Sequence, residues 1–234
     1  MAPAPVIEVE GSGPTLFTLF GLNVTWEVTT EWGIMLVMII LAILATRRLT
    51  MIPHGLQNGL EMAVDMVVDG IVAPAIGGRD KAMRYMPYLG TLFLFIIISN
   101  YSGLFPGAGH LPGFKAPTGT LSVTVALAVT AFIATHTAGF REQGFHYFKH
   151  FLEPMPFMLP LNLVEEVIRP LSLSLRLFGN IFGEEAMLLV ILSLIPYFVP
   201  IPLMVLDLLF GFLQAFIFTV LTATYIGGAI SEEA

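Results

Sequence analysis

Arg176 carries the chemistry in this sequence that is hardest to dismiss. It sits in the run PLSLSLRLFGN, among residues apolar enough to lie in a bilayer. A charge at that depth costs ~2.5–3.5 kcal/mol on insertion scales and more in simulations. Histidine or lysine escapes the cost by losing a proton; arginine, with a pKa above about 12, does not. A chain that keeps such a charge either pairs it or uses it. In the second case the natural partner is a carboxylate that must ionise inside the membrane.

At about 100° per helical residue, Ser172, Gly179, Asn180 and Gly183 fall within roughly 60° of Arg176. One helix face is therefore small and polar around a single cation. Small residues admit another helix closely and leave room for the arginine to reach outward. Glu184 lies about 80° round and Glu185 falls opposite, so a structural ion pair with either is the competing reading. Two turns earlier, Arg169 follows Glu165 by four residues, with Glu166 beside it. Acid before base at that spacing is the favourable order for a helical pair. These three read as an interfacial charge cluster or as an aqueous exit. Asp207, Gln214 and Tyr225 share a stripe further on, with Gly211 close to it. An embedded aspartate is a functional candidate by default, and it also suits the positive end of a helix dipole. Gln214 has the character of an interhelical hydrogen-bonding residue.

The elements that hold these residues follow from composition. The chain is 56% hydrophobic and 12% charged. Soluble domains carry about 25% charge. The chain reads as an all-α integral membrane protein. It contains no cysteine, which excludes disulfides, thiolate metal sites and thiol catalysis. The five histidines are scattered; His146 and His150 are four apart with no acidic third ligand and read as surface residues. No phosphate-binding loop, dinucleotide fingerprint or nucleophile motif is present. No cofactor, no metal and no nucleic acid is expected. Residues 1–27 read as an N-terminal tail without the basic start of a secretory signal, and residues 28–234 as one polytopic membrane domain.

Apolar stretches predict transmembrane helices over about 32–46 (extendable through 28–31), 85–105, 118–140, 160–195 (interrupted by Pro170) and 202–230. Arg47, Arg48, Arg79, Lys81, Arg84, Arg141 and Lys149 fall on one side of these spans and only Lys115 on the other. By the positive-inside rule the N-terminus is outside and the C-terminus cytoplasmic. In segment 53–79, Glu61, Asp65 and Asp69 recur every four residues among Leu60, Val64, Val67, Val68, Ile71 and Val72. That pattern predicts an amphipathic interfacial helix, either a connector or a docking surface. The 160–195 segment would extend about 54 Å against a hydrocarbon core of ~30 Å. It must tilt, bend at Pro170 or lie partly flat. Segment 160–230 therefore reads as a long, strongly tilted hairpin built against something other than lipid.

The stretches RPLSLSLRLFGNIFGEE and LQAFIFTVLTATYIGGAISEE resemble the a subunits of the membrane sector of F-type ATP synthases. Weaker agreement extends through IPHGLQNGLEMAVDMV, SNYSGLFPG and PTGTLSVTVALAV. The resemblance implies a stator subunit beside a rotating ring of c subunits, held by peripheral-stalk b subunits in a bacterial plasma (inner) membrane. ATP chemistry would lie on other subunits. It implies two aqueous half-channels carrying protons, with sodium ions as the alternative, to and from ring carboxylates. Arg176 matches the family's essential arginine. Ser172, Asn180 and Gln214 become polar neighbours of the path, and Glu185 its acidic residue in the outer half-channel. Asp207 stands where some members carry histidine, so an acid–acid pair replaces an acid–base pair and would share a proton. Glu165 and Glu166 match polar positions toward the inner side. An independent channel or secondary transporter is the alternative class; the internal repeat common in such folds is not found in the sequence. In a third reading, a passive scaffold, Arg176 sits in a structural ion pair.

Overall fold

The computed structural model describes residues 15–19, 22–47, 55–104, 116–147, 159–195 and 199–231. A short antiparallel hairpin, β1 (Thr15–Leu19) and β2 (Leu22–Thr25), precedes the helices. It lies in the stretch that reads from sequence as a plain tail. Helix α1 (Trp26–Thr46) begins inside that stretch too, six residues before the expected start at 32. Helix α2 (Leu56–Val67) runs through one π-helical turn (Val68–Val72) into a last turn at Ala73–Ile76. Then follow α3 (Arg79–Ser102), α4 (Leu121–Gln143), α5 (Leu159–Leu194) and α6 (Pro200–Ile230). Four of these, α3 to α6, are long and apolar enough to cross a membrane, and a shorter apolar helix spans Val28–Leu44. Apart from the short β1–β2 hairpin the described elements are helical, and the protein is of the all-α multi-pass membrane class.

The α3 helix starts earlier than its apolar stretch, because Arg79–Arg84 form a charged first turn and a half ahead of the hydrophobic run. The 36-residue α5 continues through Pro170 without an interruption in its helical assignment. Proline there removes one backbone donor, that to the carbonyl of Glu166.

No hydrophobic driving force separates helix from lipid, so close packing and hydrogen bonds must hold the bundle together. The α6 sequence supplies the close packing. Gly211, Ala215, Thr219, Ala223 and Gly227 recur every four residues and are all buried. That small stripe lets α3 and α4 approach α6 along much of its length. At Gly227 the approach is tightest: an added Cβ would meet the carbonyl oxygen of Ala75 and, at 3.2 Å, the Cα of Ile76. The end of α2 is thereby seated on α6. It is capped there by Gly77 at φ 86°, whose N–H, with that of Gly78, bonds to the Ala73 carbonyl. A left-handed glycine at this position is the usual way a helix closes its last carbonyls.

Helix α5 differs from the others. Only Leu173, Ser174, Leu177 and Ile181 are buried along it. These four form its one fully buried stripe, flanked by half-buried residues, and much of the remaining circumference is presented outward.

Candidate functional site

Arg176 lies on the outward side of α5 and is exposed, as are Ser172, Gly179, Asn180 and Gly183. A Cβ placed on Gly179 or Gly183 would meet nothing within 4 Å. The small polar face is open, not filled by this chain's own described helices. Arg176 makes no hydrogen bond or ion pair among the described residues, so the in-chain pair with Glu184 or Glu185 does not form. Behind the arginine, Asn180 donates its Nδ2–H to Oε1 of Gln214 at 2.8 Å. Gln214 is 2% exposed, so this bond carries polarity from the open face into the bundle interior.

Two polar chambers flank the arginine along α5. Toward the α5 C-terminus, Glu184, Glu185 and Asp207 line one cavity of about 30 Å³ with Asn100, Gly103, Leu104, Ala116 and Ile181. That volume holds about two waters, at about 10–15 Å³ of such space apiece. Glu185 Oε1 accepts the backbone N–H of Ala116 at 3.0 Å. Glu185 and Asp207, from successive helices, therefore share a chamber, and Glu184 joins them. Sequence reads Glu184 only as a partner for Arg176; in the bundle its place round the helix turns it inward instead.

The floor of this chamber comes from residues that the sequence reading does not single out. Asn100 donates to the Gly211 carbonyl at 2.9 Å and accepts from Thr118 Oγ1 at 2.7 Å. Tyr101 donates to the Leu208 carbonyl at 3.0 Å. Gly211 permits this, since an added Cβ would press on Asn100 and Tyr101 at 3.3 Å each. The end of α3 is thus bolted to α6 within a turn of Asp207. The one sequence signal for it is an asparagine in an otherwise apolar span.

Toward the α5 N-terminus, Arg169 reaches Glu166 at 2.6 Å and Glu165 at 2.9 Å. Its guanidinium carbon stands 5.4 Å from the centre of the Tyr225 ring. Glu166, Arg169 and Tyr225 border a second cavity of about 20 Å³, with Thr135, Phe132 and Pro170 among its walls. His136 of α4 stands behind Glu166, its Nε2 3.7 Å from Oε2. The other ring nitrogen, Nδ1, is 2.7 Å from the hydroxyl of Tyr147. Tyr147 follows α4, and its pKa is pushed up to about 12, chiefly by burial and secondarily by the negative charge of Glu166. Its hydroxyl is therefore neutral across the physiological range. Nothing in sequence distinguishes His136 from the other histidines, because its partners Tyr147 and Glu166 both lie outside its own helix. Of the histidine pair that the sequence does mark out, His150 lies outside the described residues.

Glu166 lies ten residues before Arg176 and Glu185 nine after, all on α5. At the helical rise those separations are about 15 Å and about 14 Å along the axis. The arginine thus stands midway between two chambers at opposite ends of one helix. Among the described residues no group of three histidine or acidic side chains is placed to hold a metal ion.

A protein-family comparison matches residues 28–227 to the ATP synthase A chain. The chain is 43% identical over 210 residues to a Syntrophotalea carbinolica protein named ATP synthase subunit a 2, covering 88% of this chain and 86% of that one. It is 42% identical to ATP synthase subunit a of Moorella thermoacetica, covering 92% and 95% of the two chains. With ATP synthase subunit a of Gloeobacter violaceus the identity is 39%, over 91% of each.

Proposed function

Because the chain belongs to the ATP synthase A chain family, we propose that it is the stator that carries protons to and from a ring of c subunits. It is a membrane-sector subunit of a rotary ATP synthase, and the catalytic sites for ATP lie on other subunits. The observation that carries the mechanism is the exposed Arg176, unpaired among the described residues, on an open face of small residues. A charge so placed at membrane depth requires a partner from another chain. A carboxylate on a passing ring helix fits, because the cation favours the ionised form of any acid brought beside it. An arriving ring carboxyl gives up its proton near the arginine. The arginine's fixed charge also stops a proton from running straight from one chamber to the other.

The remaining parts take their places around that step. Residues 28–234 form one membrane domain, with 53–79 as its interfacial segment and 160–230 as its translocating hairpin. The N-terminus faces the outside of a bacterial inner membrane and the C-terminus the cytoplasm. Glu184, Glu185 and Asp207 form the end of the outer half-channel, handing protons in turn to the ring. Asn180, Gln214 and Ser172 keep the arginine's neighbourhood polar without a competing charge. Glu165 and Glu166 stand at the inner half-channel. A peripheral stalk of b subunits holds the chain against the ring's torque. Each proton falling through the potential releases about 2.3 kcal/mol per 100 mV, so several are needed for one ATP.

The test is Arg176→Ala in the whole complex, reconstituted in vesicles, with proton-driven ATP synthesis and passive proton leak measured together. Synthesis is expected to disappear with assembly intact, and the leak to rise. Synthesis at the wild-type rate would return Arg176 to a structural charge.

A further inference from the structure

We propose that His136 and Tyr147 form a proton-transfer step on the cytoplasmic side, passing a proton from the Glu166 chamber toward the C-terminal end of α4. This rests on the stator reading above and adds to it two residues from α4 and the segment that follows it.

Three geometric observations lead here. The two nitrogens of one imidazole face different polar groups: Nε2 faces Glu166 Oε2 at 3.7 Å and Nδ1 contacts the Tyr147 hydroxyl at 2.7 Å. The ring is fixed from the side by Phe132, edge to face at 4.0 Å between centroids. The carboxylate opposite Nε2 is held by Arg169 through its other oxygen, Oε1, which leaves Oε2 turned toward the histidine. A group that only packs needs one satisfied nitrogen. An imidazole poised between a carboxylate bordering a water-sized cavity and a hydroxyl beyond it has an entrance and an exit.

The step balances without any other reactant. A proton reaching Glu166 Oε2 moves to Nε2 as the two atoms draw within hydrogen-bond reach. The O–H bond breaks and the Nε2–H bond forms, giving an imidazolium beside the restored carboxylate. Nδ1 then releases its proton to the Tyr147 oxygen while the Tyr147 O–H proton passes to a water that must reach this side chain, only 6% exposed. The neutral histidine that results holds its proton on Nε2, and a ring flip or a return exchange through Tyr147 resets the tautomer. Tyr147 swaps one proton for another and never ionises, as a hydroxyl with its raised pKa must. Among the described residues, the charged and titratable groups facing the ring are Glu166 and Arg169 from α5, with Glu165 behind them, Tyr147 from the segment after α4, and Tyr225 from α6 beyond the guanidinium. Arg169 keeps the site from retaining the proton: a cation next to the imidazolium promotes its release.

The experiment uses the whole complex in vesicles, comparing wild type with His136→Gln and with Tyr147→Phe. ATP-driven pumping and passive proton flow through the membrane sector are measured while the pH on the α4 C-terminal side is varied from 5.5 to 8.5. His136→Gln is expected to slow proton flow by about tenfold or more, below the full range that a positioned acid–base group contributes. It should also abolish any inflection that a titrating histidine contributes to the pH profile. Tyr147→Phe is expected to slow flow while retaining the inflection, because the histidine still titrates. Wild-type rates in either variant overturn the relay. So does a uniform drop with an unaltered pH profile in His136→Gln, which marks a packing role. If His136→Gln does not assemble, Tyr147→Phe decides alone, by slowed or unchanged flow. Arg176→Ala in the same preparation separates the two levels. If it too conducts and synthesises normally, the stator reading fails; if it is dead while His136→Gln is normal, only the relay fails.

Discussion

The two chambers flanking Arg176 hold similar acids in different company. At the Asp207 end, three carboxyls line about 30 Å³, and among the described residues no lysine or arginine borders that space. Neutral groups reach in to them, such as the Ala116 N–H on Glu185. At the Arg169 end, two glutamates are tied to a guanidinium that also rests on Tyr225. The difference is one of electrostatic compensation. Carboxyls held by neutral groups can gain and lose protons without breaking a structure. Carboxylates fixed by an arginine are part of the structure, and a proton that arrives on one needs a neighbouring acceptor to move on. His136 is the acceptor for Glu166 in the relay proposed above.

The contrast predicts opposite outcomes for changes at the two ends. Glu185→Gln keeps an acceptor for the Ala116 N–H but cannot ionise. Proton translocation is expected to fall by about 100-fold or more, with the complex assembled and its thermal midpoint unchanged. A normal pumping rate, or loss of assembly in place of loss of transport, would show the acids at this end to be structural. Next in size is Arg169→Ala. It leaves Glu165 and Glu166 uncompensated, and the Glu166 side chain is only 14% exposed. Breaking a fully buried pair costs ~3–5 kcal/mol and an exposed one under about 1, so about 2 kcal/mol is expected for this half-covered pair. Thermal or denaturant unfolding of the purified complex reads it directly, and an unaltered midpoint removes Arg169 from the structural side of the contrast.

Asn100→Ala removes two hydrogen bonds and leaves the Thr118 hydroxyl without its acceptor. About 1–3 kcal/mol of stability should be lost, together with a smaller drop in transport as Asp207 loses its support. Transport lost with stability retained would move Asn100 from scaffold to path. The smallest effect belongs to the strip between the chambers. Gly179→Ala meets no neighbouring atom in this chain, and it gains up to about 1 kcal/mol of helix propensity. The isolated chain should therefore be no less stable. In the assembled complex the added methyl should hinder a helix packed on that face, and ATP-driven pumping reads the hindrance. Equal pumping in the variant would place the ring elsewhere.

Much of this architecture is legible in the chain because membrane burial writes itself into composition. The apolar runs mark the long helices, and the ends move by a few residues where charged turns such as Arg79–Arg84 extend a helix past its hydrophobic stretch. Three acids recurring every four residues locate α2, though not the π-helical turn at Val68–Val72, which depends on hydrogen bonds that no residue type specifies. Arg176 and its small face are evident because a rare charge in an apolar run has few innocent uses.

What the sequence alone determined is whatever one helix decides for itself: that the chain lives in a membrane, which residues span it, and which side chains share Arg176's face. Those properties follow from the angular step of the helix and the cost of charge in lipid, and neither needs a neighbouring helix. The tertiary structure decided what depends on two or more helices meeting. It turned Glu184 inward to Asp207 and away from Arg176. It made Asn100 the bolt of one chamber and brought His136 of α4 against Glu166 of α5. Such contacts are set by how small stripes like Gly211 to Gly227 let backbones approach, and that information is spread over every helix in the bundle.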